Sequence, residues 1–235
     1  MKVTIMQPAY LPWLGFFDRI EASDLFISLD NVLLDTSSKT RFTNRNKIRQ
    51  KEGSTWLTLP MKTKGLFGDV HIKDIQLVED KWNIKHWKSI QNNYRKAPFF
   101  DKYAPFLENI YSQKWQSMQE LIDELTSYFL QELNITTPTI KSSELQIDAT
   151  KDDLILEICK SQNATEYYSG IFGREYLDTK KFEKEGIEVL FHEYKHPTYT
   201  QLYEGFEPYM SILDLLFNHG EDSLEIIKQG RNLIK

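Results

Sequence analysis

The chain has 235 residues, a formal net charge of -5, 40% apolar residues and 13% aromatic ones. A chain of this length can bury a core without staples, and its acidic balance argues against a general nucleic-acid binder, which needs surplus lysine and arginine for phosphate contacts. Its single cysteine, Cys159, excludes an intrachain disulfide, and no apolar run reaches transmembrane length, so the expected setting is cytoplasmic and away from membranes.

Residues 2–6 and 25–29 read as buried strands, with a helix of about two turns starting near Leu14 between them. Strand, turn, helix and strand in quick succession make a βαβ unit, which predicts parallel strands and a right-handed crossover. The turn at 7–13 holds Gln7, Pro8, Ala9, Tyr10, Leu11, Pro12 and Trp13, and it follows the C-terminal end of a strand, where open α/β sheets bind ligands. Asp30 and Asn31 occupy the next such end. Residues 35–54 are polar and basic, carrying Lys39, Arg41, Arg45, Lys47, Arg49 and Lys51 with Asn44 and Asn46, and become helix-compatible late in the segment. A strand is expected at 56–60, a loop with Gly65 and Gly68 at 61–71, and a short strand or extended link at 74–77. From Lys81 to Leu133 the pattern is helical, broken at Pro98 and Pro105, with an amphipathic helix over 117–133. The last third alternates again: a helix around Leu154, a strand at 166–168, a glycine-bearing turn at 169–174, a helix at 176–185, a strand at 187–194 and a helix at 211–217. The whole predicts one α/β domain over 1–235, a parallel sheet with flanking helices and a helical insertion at about 81–134.

Several residues are placed where chemistry is expected. Pro8 and Pro12 stiffen the first turn, Tyr10 and Trp13 offer faces for stacking or a plug between helix and sheet, and Gln7 is a polar group beside a strand end. Arg41, Asn44, Arg45, Asn46 and Lys47 form a basic segment whose arginine forks suit phosphate or carboxylate; an exposed basic face is the plainer alternative. The five histidines form no metal pattern: His192 and His196 are four apart, but the chain there leaves a strand for a loop. His196, held extended before Pro197, suits a general base, whereas His86 beside Trp82 and Trp87 suits a packed core. Asp214 in an apolar helix needs a partner or serves as a site acid. Gln201 falls in the preceding polar block. Cys159, on an amphipathic helix, reads as a buried thiol.

The topology resembles nucleotidyltransferase-like folds, yet the first 70 residues hold no histidine and no glycine-rich phosphate loop, so adenylyl transfer does not follow. Six blocks together resemble the WbqC-like family: residues 7–18, 44–48, 87–98, the triplet Tyr168-Ser169-Gly170, the spaced set His196, Pro197, Tyr199 and Gln201, and residues 211–218. The resemblance spans nearly the full chain, with Ala9 where glycine is expected in many members. It implies an accessory transferase of bacterial lipopolysaccharide and O-antigen pathways, acting on a nucleotide-linked amino sugar by acyl or aminoacyl (for example glycyl) transfer. It supplies no catalytic residues and no cofactor, and leaves the donor open. For amide formation, His196 or Asp30 would be the base, Gln7 or Asn46 an oxyanion donor, and Arg41 and Arg45 the grip on the diphosphate. A nucleotide-sugar binding module without chemistry, or an interaction protein docking through the helices of residues 81–130, are the alternatives.

Overall fold

The computed structural model describes residues 1–34, 42–62 and 70–234, with the side chains of residues 233 and 234 excepted. Five parallel strands form the centre of the fold: β1 (Lys2–Met6), β2 (Leu25–Ser28), β5 (Thr139–Lys141), β6 (Glu166–Gly170) and β7 (Glu188–His192), laid side by side as β5-β2-β1-β6-β7. A short edge strand, β8 (Leu233–Ile234), runs antiparallel to β7. The sheet is therefore of the parallel α/β kind expected. From β1 the chain builds outward to β2 and β5, then returns to lay β6 on the other side of β1. That reversal makes the β1/β6 boundary a topological switch point.

Both faces of the sheet are covered, which is why its strands read as apolar runs. Val3, Ile5, Leu25 and Ile27 pack against α5 (Lys151–Ser161) and Phe182 of α6 (Thr179–Lys184). On the other face Phe26 meets Phe16 of α1 (Leu14–Glu21) edge-on at 5.6 Å, and Phe17 of the same helix meets Phe129 of α4 (Met118–Glu132) at 6.2 Å. Cys159 is buried in α5, and burial pushes its thiol up to about 12. That removes it as a nucleophile at neutral pH.

Between β2 and β5 the chain inserts a hairpin, β3 (Arg45–Arg49) with β4 (Ser54–Thr58), and the helices α2 (Trp82–Tyr94), α3 (Phe100–Ser112) and α4. The helix-compatible reading of the basic segment is thus replaced by a strand. Asn46 and Ile48 point inward while Arg45 and Lys47 point outward, a period of two. The break expected at Pro105 does not occur, because Pro105 lies inside α3 and the interruption falls at residues 95–99. The helix keeps its course because Tyr103, Leu107 and Ile110 remain buried around the proline. The link at 74–77 becomes a single turn of 3-10 helix, Ile72–Asp74, followed by isolated bridges from Gln76 and Leu77. After α7 (Ile212–His219) comes a further helix, α8 (Ser223–Lys228), not foreseen from the sequence. Residues 63–69 of the glycine loop lie outside the described residues.

The turn after β1 is clamped from several directions. The Tyr10 hydroxyl, fully buried, lies 2.9 Å from His86 Nδ1 and 2.6 Å from the Tyr111 hydroxyl, reaching α2 and α3. Burial holds His86 down at about 4, so its ring is neutral in the fold. Above pH 6.5 both states are neutral there. As pH falls from 6.5 towards 4, only the unfolded chain takes the proton, and stability contributed by the neutral ring is lost, by about 3 kcal/mol at the lower limit. His192 and His196 are also lowered by burial and act in the same direction. Urea denaturation across pH 4–7 will show falling stability, with a shallower slope for His86→Phe; an identical slope would contradict the assignment.

Candidate functional site

The C-terminal ends of β1 and β6 open onto a crevice of about 470 Å³. One wall is the turn after β1, with Gln7, Pro8 and Trp13, joined by Phe42 and Thr43 from the segment that leads into the hairpin. The other is the end of β6 and the 3-10 turn Ile171–Glu175, with Gly170, Phe172, Gly173 and Tyr176. Phe172 and Tyr176 are 62% and 58% exposed, two large rings presented to solvent at the mouth. Gly173 is required for close approach: a Cβ there would stand 2.1 Å from Ser169 Oγ. The Ser169 hydroxyl in turn donates to the Gly170 carbonyl at 3.2 Å, and burial raises the pKa of the neighbouring Tyr167.

Arg19, on α1, is the only charged side chain among the described residues lining this crevice. Its Nε donates to Thr4 Oγ1 at 3.2 Å and its Nη2 to the Ile5 carbonyl at 3.0 Å, which lays the guanidinium across the tops of β1 and β6. Burial lowers its pKa, with the neighbouring tyrosines opposing. An arginine stays protonated even so. No aspartate, glutamate, histidine or cysteine lines the crevice among the described residues.

A second cavity, of about 260 Å³, lies at the ends of β2 and β5 and includes Ser28, Lys141 and Asp123, the last two ion-paired at 2.6 Å. Pro8 and Phe16 line both cavities. A larger depression of about 760 Å³, between residues 78–85 and 111–115, is lined by no residue of the sheet.

The structure brings Gln7, Trp13 and Thr43 together; Thr43 Oγ1 donates to Gln7 Oε1 at 3.5 Å, a long contact. Asn44 and Asn46 are buried and committed to backbone, Asn44 Nδ2 to the Leu59 carbonyl at 3.0 Å and Asn46 Nδ2 to the Leu11 carbonyl at 2.6 Å. Arg45 and Lys47 stand over the exposed ring of Trp56, at 4.7 and 5.9 Å from its centroid, on the outer face of the hairpin. Phe42 links that face to the crevice, lying 6.3 Å from Trp56. Arg41 lies outside the described residues. Asp30 is buried, and its oxygens accept from Ser142 Oγ, the Ser143 amide and Ser143 Oγ at 2.7–3.1 Å, fastening β2 to the turn after β5.

His196 packs against Tyr209, Phe206 and Tyr199, with Nδ1 donating to the Pro197 carbonyl at 2.8 Å and Nε2 buried without a partner. Tyr209 also packs on Trp13 at 6.0 Å, so His196 stands behind the crevice wall rather than on it. Asp214 and Gln201 meet in a separate knot. Asp214 accepts from Tyr94 at 2.9 Å and from Tyr199 and Gln201 Nε2 at 2.8 Å each, and Tyr94 accepts the Arg49 amide at 2.7 Å. The tie to an arginine therefore runs through a tyrosine and a backbone amide. Burial raises the Asp214 pKa against the lowering effect of these donors.

Sequence reasoning missed Arg19, Phe42, Thr43, Phe172 and Tyr176. The available signals were a lone cation in a short apolar helix and two glycines flanking an aromatic after β6. Among the described residues no group of three or more His, Cys, Asp or Glu is placed to hold a metal ion, and no helix is long and apolar enough to cross a membrane.

The fold and the crevice define a doubly wound α/β protein with an open, aromatic-rimmed cleft at its switch point. A family model described as the WbqC-like protein family matches residues 7–226, and the chain belongs to that family. It is 33% identical over 232 residues to the uncharacterized protein Rv1507c of Mycobacterium tuberculosis, an alignment covering 98% of this chain and 99% of that one. No solved structure matches.

The Asp214 knot and the crevice rim make opposite demands on stability. Asp214→Ala leaves three buried donors unsatisfied and is expected to cost on the order of 3 kcal/mol or more, whereas Phe172→Ala, at an exposed ring, should change stability by less than about 0.5 kcal/mol. Urea denaturation of the two variants checks both; equal losses would overturn the division between scaffold and rim.

Proposed function

We propose that the crevice is the binding site for a nucleotide-linked amino sugar, and that the protein transfers an acyl or aminoacyl group to the sugar amine in bacterial surface-polysaccharide biosynthesis. Family membership supports the polysaccharide setting. The observation that carries the site is a cleft at the strand reversal with a cationic floor and exposed rings at its mouth, since ligands of doubly wound sheets bind in that position. In the transfer, the amine nitrogen attacks the carbonyl carbon of an activated donor. A C–N bond forms, the bond to the leaving group breaks, and the amine proton passes to a base. Gln7, exposed beside the strand end, is suited to donate to the developing oxyanion. Neither expected base lines the crevice, since Asp30 has its oxygens engaged and His196 stands behind Tyr209, so in this reading the amine proton passes to water in the open cleft.

A non-catalytic nucleotide-sugar binding module is the second reading. It is favoured by one observation: no carboxylate or imidazole lines the crevice among the described residues.

Mass spectrometry of mixtures containing a panel of nucleotide-linked amino sugars, each with an acyl coenzyme A, an amino acid plus ATP, or an aminoacyl-tRNA, tests the transfer. The expected product is an amino sugar heavier by the acyl or aminoacyl group, formed at least tenfold more slowly by Gln7→Ala. Tight binding of the sugar nucleotide with no product from any donor would favour the binding module, and absence of both would remove the crevice from the account.

A further inference from the structure

The carboxylates nearest Arg19 in sequence are committed elsewhere. Asp18, fully buried, accepts from Arg231 Nε at 2.9 Å and lies 2.8 Å from His192 Nε2. Glu21 contacts Arg231 and Lys228. Arg19 makes no ion pair with any described residue. A half-buried guanidinium without a counterion loses part of its hydration, and a ligand anion would supply the missing charge. The more deeply buried Arg49 also makes no ion pair with a described carboxylate, but it spends its Nη groups on three backbone carbonyls, which Arg19 does not.

The hydrogen-bond count agrees. A guanidinium carries five N–H groups, and Arg19 uses one on Nε and one on Nη2. Both N–H groups of Nη1 and the second of Nη2 remain, the edge that binds planar or tetrahedral oxyanions in a fork. Nη1 faces the end of β6, where position 170 has no side chain. A Cβ there would stand 2.6 Å from Nη1, so glycine leaves the room the guanidinium occupies. The same crevice carries Phe172 and Tyr176 at its mouth, suited to a flat, partly apolar group.

We propose that Arg19 is the oxyanion anchor of the crevice: its free Nη edge takes a phosphoryl or carboxylate group of a ligand whose flat portion rests against Phe172 and Tyr176, and the bare Cα of Gly170 keeps that edge open. This assignment rests on the crevice being the binding site, and it adds the residue that fixes the ligand's charge. Two sources share the chemistry, the diphosphate of a nucleotide-linked sugar and the carboxylate of an amino-acid donor.

Isothermal titration at low ionic strength with inorganic pyrophosphate, uridine diphosphate and N-acetylglycine separates the sources. The wild type is expected to bind at least one probe. Arg19→Met should weaken that binding at least thirtyfold, Gly170→Ala at least fivefold, and Lys88→Met, on an exposed stretch of α2, not at all. Retention of the phosphorylated probes alone, or of N-acetylglycine alone, identifies the source. Where Arg19→Met does not fold, Gly170→Ala keeps the cation, and the wild-type arginine side-chain ¹⁵N spectrum, assigned with Arg19→Lys, must show the Arg19 Nε–H signal moving on addition of the bound probe. Unchanged affinity in Arg19→Met, an unmoved signal, or no binding of any probe to the wild type overturns the anchor. If Arg19→Met is unaffected while Gln7→Ala and Phe172→Ala bind weakly, the anchor fails and the crevice stands; if all three are unaffected, the ligand binds elsewhere and both fail.

Discussion

The carbonyl of Leu11, in a left-handed backbone conformation with φ of 48°, accepts the Asn46 side-chain amide at 2.6 Å. This contact and those beside it fix the turn on which the crevice depends. The Tyr10 amide donates to the carbonyls of Phe42 and Thr43 at 3.2 and 3.1 Å, the Pro12 carbonyl accepts the Ile212 amide at 2.8 Å, and the Lys47 carbonyl accepts the Ser211 amide at 2.8 Å. A leucine with positive φ costs on the order of 1 kcal/mol or more. Burial of its side chain and the Asn46 hydrogen bond offset that cost. Without the clamp, the turn would not carry Phe42 and Thr43 to the crevice, and α1 would not begin where Arg19 reaches across β1.

Three buried carboxylates contrast with the half-buried Arg19. Asp18, Asp30 and Asp214 each lie among donors from distant parts of the chain, and each joins elements that the backbone alone would leave apart. Such groups contribute to a unique arrangement because removing any one leaves its donors unsatisfied. Arg19 differs. Its bonds to Thr4 and Ile5 orient it, yet no described carboxylate neutralises it. A cation with an unused guanidinium edge in a cleft, beside carboxylates already committed to other partners, is the electrostatic pattern of a site that takes an anion.

The parallel sheet was readable because burial on both faces leaves strands such as 25–28 with an unbroken apolar run, Leu25 to Ile27, and because a strand, turn, helix and strand in sequence has few topological solutions. The basic hairpin was not, since Asn46 takes an inward position and Arg49, on the opposite face, is buried as well, which blurs the apolar alternation that marks a strand. The clamp at the first turn explains why rigid residues cluster there, but Tyr10 proved to face His86 and Tyr111 inside the protein. The lone cation in a short apolar helix did not by itself give Arg19 its role. A charge on a short helix ordinarily faces water, and its isolation depends on Asp18 being taken by His192 and Arg231, 174 and 213 residues away.

A crystal structure of the protein grown with a uridine-diphosphate amino sugar tests the central claim most directly, because it locates the ligand's charge without assuming a reaction. The account predicts an oxygen of the diphosphate within hydrogen-bond distance of Arg19 Nη1, above the ends of β1 and β6, with Phe172 or Tyr176 against the ligand. Density for the sugar nucleotide in the cavity beside Lys141 and Asp123, or over Trp56 and Arg45 on the hairpin, with the crevice empty, would contradict it.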